Sequence, residues 1–208
     1  MSPVRPLRVL LPVLPLALPW PALAAEDYSG AGIGLQAGAV LPSDEMFEIA
    51  PFAGVEVSVV LPYGGGRLRP LASLSGSWLA TEGPDADPRI GEGSYTWTLD
   101  ETFAMFGVGL MARPFPPSWS FQIDARVVPQ VAWITTESGG VSIHDEFGIT
   151  TQRYLAPGAL ASLGFALDTR WGEFTVAGGW MAMLLRGSLS GTSTMTGIVP
   201  TAGYRYWF

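Results

Sequence analysis

The chain is written in alternation. Over residues 198–208, Ile198, Pro200, Ala202, Tyr204, Tyr206 and Phe208 take every second place, with Val199, Thr201, Gly203, Arg205 and Trp207 between them. Successive side chains of a β-strand point to opposite faces, so one face of this segment is apolar and aromatic while the other carries an arginine. The pattern recurs upstream over residues 33–41, 49–61, 68–78, 106–112, 119–133, 155–167 and 174–184. These make eight predicted strands, an even number. In each, large apolar residues alternate with glycine, serine, threonine or a charge.

The predicted connections alternate in length. Those after the second, fourth and sixth strands are tight, at residues 62–66, 114–118 and 168–172. Those after the odd strands are mostly longer and more polar, at residues 42–46, 81–94, 138–149 and 189–195. An antiparallel sheet with short turns at one end and loops at the other follows, with both termini at the short-turn end. Residues 95–104 are ambiguous, because Asp100 and Glu101 are adjacent and break the alternation. Five prolines fall inside predicted strands, where each removes a ladder hydrogen bond. Pro51 and Pro200 fit strand ends and Pro70 lies close to one; Pro129 and Pro157 require a bulge or a part of the sheet standing clear of any membrane.

Composition narrows the choice. Mean hydropathy is +0.30 despite 26 glycines and 18 prolines. Beyond the N-terminus no segment supplies the roughly 18 consecutive apolar residues of a membrane helix. Chains that cross lipid must satisfy every backbone polar group internally, as helices or as a closed barrel. The alternation excludes helices and leaves a barrel or a soluble β protein. Aromatic residues favour the barrel: Phe115, Trp119, Trp171, Tyr206 and Phe208 lie near the short-turn end, and Phe47, Trp78 and Trp133 near the long-loop end. Rings gathered at two levels are the girdles of a membrane-spanning wall.

The N-terminus reads as a signal peptide over residues 1–24. Arg5 and Arg8 precede an apolar stretch, and Ala22-Leu23-Ala24 offers small residues for cleavage after Ala24, or one residue later after Ala25. Residues 25–208 are then a single barrel domain. The formal charge passes from −7 to −9, because the leader takes two arginines and no acid. Such an acidic chain is a poor nucleic-acid binder. There is no cysteine, hence no disulfide and no thiolate metal site.

The ending Tyr204-x-Tyr206-x-Phe208 resembles the C-terminal signature that outer-membrane barrels present to their assembly machinery. With the signal peptide, strand number and loop pattern, the chain resembles the small outer-membrane barrel family typified by OmpX, Ail and the OmpA transmembrane domain. That resemblance implies an all-β, eight-stranded, antiparallel up-and-down transmembrane β-barrel in the outer membrane. It also implies a monomer in contact with lipid and lipopolysaccharide, delivered by periplasmic chaperones. The family includes adhesins and structural anchors, so the fold leaves the function open.

The strand faces opposite the apolar one carry Glu56, Arg67, Arg69, Arg113, Asp124, Arg126, Glu173 and Arg205, mostly toward the short-turn ends. A barrel of eight strands is just wide enough for side chains to fill. Charges enclosed there must pair or stay hydrated. They predict an arginine–carboxylate network that plugs this half; a selective pore lined by the same charges is the alternative. The other half, lined by Ser73, Ser75, Ser77, glycine and threonine, either holds a wet pocket open to the outside or fits the taper of a small barrel.

Acidic residues gather in the predicted outer loops: Asp44 and Glu45, then Glu82, Asp85, Asp87 and Glu92 with Arg89, then Asp145 and Glu146. They read as a solvated surface, with Asp85-x-Asp87 too little for a metal site. Ser142, His144 and Glu146 share a face if extended, which invites comparison with lipid A deacylase barrels of the PagL type. That family carries His-x-Ser-Asn on a strand. Here the order is Ser-x-His, and i, i+2 neighbours do not readily bring a nucleophile to its base. No catalytic set, metal site or cofactor is expected.

Overall fold

The computed structural model describes residues 30–43, 48–61, 66–85, 95–116, 118–142, 146–185 and 194–208. They form eight strands: β1 (Ala31–Pro42), β2 (Ala50–Val59), β3 (Leu68–Asp85), β4 (Tyr95–Ala112), β5 (Phe121–Ser142), β6 (Glu146–Thr169), β7 (Gly172–Leu184) and β8 (Thr194–Trp207). All pair antiparallel with their sequence neighbours, and β8 returns to β1 to close the barrel. The final residue helps the closure, since the Phe208 amide donates to the Ala31 carbonyl at 3.1 Å. Closure leaves no edge in the lipid, which is the condition for a sheet to cross it.

The register is staggered. Stepping across the strands from Gly32 through Ser58, Leu71 and Gly109, which the β4–β5 register sets level with Val128, and on through Leu160, Met181 and Gly197 returns to β1 at Pro42, nearly a full strand length away. A shear of this kind tilts the strands and sets the bore. The predicted parity holds within the strands: Leu35, Val55, Leu74, Phe106, Val127, Leu163, Val176 and Ile198 point outward and are exposed, while Glu56, Asp124, Glu173 and Arg205 are buried inside. Trp119, Trp171, Tyr206 and Phe208 stand exposed at the short-turn end and Trp78 and Trp133 at the other. Phe47 and residues 1–29 lie outside the described residues.

Several strand ends differ from the sequence reading. β3 continues to Asp85, and β4 begins at Tyr95, so residues 81–85 and the ambiguous stretch 95–104 are paired strand. Likewise β5 runs to Ser142 and β6 starts at Glu146, so residues 138–142 and 146–149, read as part of the third outer loop, are strand. Asp100 and Glu101 break no pairing. Glu101 points into the barrel and is buried, whereas Asp100 points out, opposite Glu137 of β5. β2 leaves β3 at Ser77, and β7 leaves β6 at Gly158. Among the described residues, β3 to β6 stand above those points as a four-stranded sheet beyond the rest of the barrel.

The prolines find a common solution. Pro129 needs neither a bulge nor a place clear of the membrane, and Pro200 sits inside β8 rather than at its end. Each faces outward, keeps its pairing on one side and interrupts the ladder on the other. β4 pairs with β5 at Gly107 and again at Leu110, and β1 with β8 at Gly38 and again at Leu41, with unchanged register across both gaps. The strands close in around these gaps: a Cβ on Gly109 would lie 2.8 Å from the Val128 Cα. Pro157 lies where β6 begins to stand free of β7, and Pro51 and Pro70 lie at the limits of the β2–β3 ladder.

The β6–β7 turn depends on Gly172, whose φ of 141° is one L side chains rarely adopt. A Cβ there would meet the Tyr204 ring at 2.7 Å, and the Tyr204 hydroxyl donates to the Trp171 carbonyl in the same turn. Gly172→Ala is expected to cost about 1–3 kcal/mol, read as a lower urea midpoint for the folded barrel. An unchanged midpoint would show that the turn adapts freely.

Candidate functional site

The lumen is filled by two layers of different chemistry. The layer toward the short turns is ionic and is built by residues that five separate stretches of chain bring together. Glu56 of β2 meets Arg126 of β5, with Oε2 3.1 Å from Nη1. Arg126 Nη2 reaches Asp124 Oδ2 at 3.0 Å. Asp124 Oδ1 lies 2.7 Å from Nε of Arg113, which follows β4 directly. Arg113 Nη2 lies 2.6 Å from Glu173 Oε1 on β7. Glu173 pairs with Arg205 Nη1 of β8, and Arg205 Nη2 returns to Glu56 Oε1 at 2.6 Å. Six side chains of alternating sign thus form a closed ring across the bore, each at most 8% exposed.

Arg69 is buried beside the ring. Its Nε donates to the Gly66 carbonyl at 3.2 Å, and its guanidinium stacks 4.6 Å from the centre of the Trp207 ring. Arg67 does not join the cluster. Its side chain is exposed, because β3 begins only at Leu68, and its carbonyl accepts from the Arg113 amide at 2.8 Å. Asp168, which the sequence pattern assigns to a turn, belongs to the site. It lies one residue before the end of β6, directly opposite Glu173, so four carboxylates face four arginines. Gln122 carries no charge to mark it in the sequence. It is buried and donates to the carbonyls of Pro116 at 2.8 Å and Trp119 at 2.9 Å, holding the β4–β5 turn across the mouth of the barrel.

The outer layer corrects the expectation of a pocket lined by serine, glycine and threonine. Phe52, Leu79, Leu99, Phe103, Met105, Ile134, Met181, Met183, Leu185 and Met195 form one buried apolar cluster there. Ser77 is buried with them, and Ser73 faces a cavity of about 20 Å³ between the two layers, beside Gln36, Ser162 and Thr201. That is room for on the order of one water. Glu101 is fully buried within the apolar layer, between Leu99 and Phe103 on β4, and its carboxylate accepts from Thr136 Oγ1 at 3.3 Å.

On the outside of the projecting sheet, above Trp78 and Trp133, Glu82, Asp100 and Glu137 face out with Arg153. The remaining predicted acidic positions Asp44, Glu45, Asp87, Glu92 and Asp145 lie outside the described residues, as does His144. The wall positions Tyr204, Tyr206 and Phe208 cluster with their neighbours: Phe174 and Tyr204 have ring centres 5.2 Å apart, and Tyr206 and Phe208 6.4 Å.

A closed sheet with an apolar outer wall, two aromatic girdles and a lumen packed with side chains defines an eight-stranded transmembrane β-barrel. Solved structures similar to this chain include two that share its fold. A major outer membrane protein from Thermus thermophilus superposes with a TM-score of 0.54 at 11% identity, covering 85% of this chain and 99% of that one. Neisserial surface protein A gives 0.51 at 11% identity, with 86% and 98% covered. No protein-family model matches the chain, and no curated protein does.

Proposed function

We propose that this is a non-enzymatic outer-membrane protein whose barrel anchors and stiffens the membrane and displays the projecting β3–β6 sheet and its acidic loops to the outside. The filled lumen carries this reading. A ring of paired charges and an apolar layer stand in series across the bore, and a solute would have to displace both. Water-filled passage in a barrel requires a larger circumference or an unfilled interior. The names of the two similar structures, one a surface protein and one a major outer membrane protein, favour the same location.

In this reading the wall is covered by lipid and lipopolysaccharide, and the barrel works as a monomer. The assembly machinery recognises Tyr204, Tyr206 and Phe208 on the last strand. The projecting sheet is the part a surface partner meets. The charges on its outer face are mostly acidic, and among the described residues β6 above Gly158 offers an edge without a β7 neighbour.

Planar-bilayer recording of the purified protein tests the closed lumen. The expected trace shows no unitary openings at any applied voltage. Reproducible single-channel steps would replace the anchoring role with a narrow pore.

A further inference from the structure

All five described methionines point into the lumen: Met105, Met111, Met181, Met183 and Met195 are each at most 2% exposed. Leucine stands on both faces: on the outer wall at positions 35, 68, 74, 110, 155, 163, 167 and 184, and in the lumen at 71, 79, 99 and 185. Packing accounts for methionine in the lumen only as a filler of irregular gaps. Methionine loses more rotamer freedom on burial than leucine, and it specifies a core less well.

The arrangement of three of them gives a different reason. Met183 of β7 and Met195 of β8 are direct cross-strand partners on the inner face. Met181 is the next inward residue on β7, and its own partner is Gly197, which contributes no side chain. Directly opposed Cβ atoms stand about 4.5–5.5 Å apart and diagonal ones about 7–8 Å, distances that long side chains bridge. Three thioethers can therefore converge at one point. Met105 is set aside from them, because its sulfur accepts from Gln130 Nε2 at 3.7 Å.

We propose that Met181, Met183 and Met195 form a binding site for a soft monovalent cation, Cu⁺ or Ag⁺, in the outer half of the lumen. Thioethers are neutral, polarizable ligands that select such ions over hard divalent ones. The chain has no cysteine and a single histidine, so methionine is the soft ligand available to it. The three side chains already pack in one buried cluster, and small rotations of flexible thioethers make room for an ion between them. The site is independent of whether the barrel conducts.

The test is competition for Cu⁺ against a chromophoric chelator, with ascorbate and without oxygen, using the full barrel folded in detergent. Wild-type protein is expected to withdraw a stoichiometric amount of Cu⁺ and to leave Zn²⁺ in solution. Met183→Leu and Met195→Leu conserve volume, so the barrel should keep its heat-modifiable gel mobility while affinity falls about tenfold or more. Met111→Leu, in a separate cluster with Leu71 and Val128, should bind as wild type does. No competition by the wild type, or equal competition by folded Met183→Leu, Met195→Leu and Met111→Leu variants, overturns the proposal.

Discussion

Glu173→Gln is expected to lower the unfolding free energy of the barrel by about 3–5 kcal/mol. Glu173 is fully buried and holds two arginines at once, Arg113 and Arg205. Glutamine keeps the shape but removes the charge, leaving four guanidinium groups facing three carboxylates inside the bore. Arg113 keeps Asp124, and Arg205 keeps Glu56, so the ring opens without collapsing. The loss comes from uncompensated positive charge in a region of low dielectric, not from the pair's own attraction, which desolvation largely offsets. Two controls separate these terms. Replacing Arg113 and Glu173 together by methionine removes one charge of each sign and should recover most of the loss. Glu82→Gln, on an exposed position of the projecting sheet, should change stability by no more than about 0.5 kcal/mol. Urea titration of the barrel in lipid vesicles, read by gel mobility, measures all three. A Glu173→Gln midpoint equal to that of Glu82→Gln would mean the ring is hydrated and carries no structural weight.

The sequence shows the wall of this barrel far better than its ends or its filling, for a physical reason. Between the girdles, lipid lies on one side and the lumen on the other, so Leu163 and Phe165 contrast with Ser162 and Gly164 at every step. Above Trp78 the outer face turns polar, with Thr96, Thr98 and Asp100 in the places that apolar residues hold on the wall, while Leu99 faces inward to the apolar cluster. That is why residues 81–85 read as loop and residues 95–104 as ambiguous. The ionic ring is legible as a set of charges with the right parity. Its closure is not, because Glu56 and Arg126 lie on strands that are not neighbours, and only the shear brings them together. Arg67 has the parity of Arg69 but lies before the first residue of β3. The apolar layer escapes for the opposite reason. Met105 and Phe103 are as hydrophobic as Phe106 and Val108 on the wall, and alternation is silent where both faces are apolar.

Leu163→Arg is expected to destabilise the folded barrel by about 2–4 kcal/mol, the cost of an arginine near the midplane of a lipid-facing wall. Leu163 is 61% exposed on the outer face of β6. It lies between Leu167 toward the short turns and Leu155 near the level of Trp133, its direct partner. Its cross-strand partners are Ala125 of β5 and Gly178 of β7, so a longer side chain meets no steric obstacle and only the solvent decides the outcome. In water the exchange would relieve an exposed leucine and be neutral or favourable. In hydrocarbon the guanidinium must reach the interface, and mid-strand placement makes that path long. Moving the same substitution to Leu167, nearer the short-turn girdle, should reduce the penalty to about 0–1 kcal/mol, because cost follows depth. A graded loss from Leu167→Arg to Leu163→Arg in lipid vesicles is therefore a measurement of the bilayer itself, made from inside the wall. Equal and negligible costs at both positions would place this surface in water and remove the basis for a transmembrane barrel.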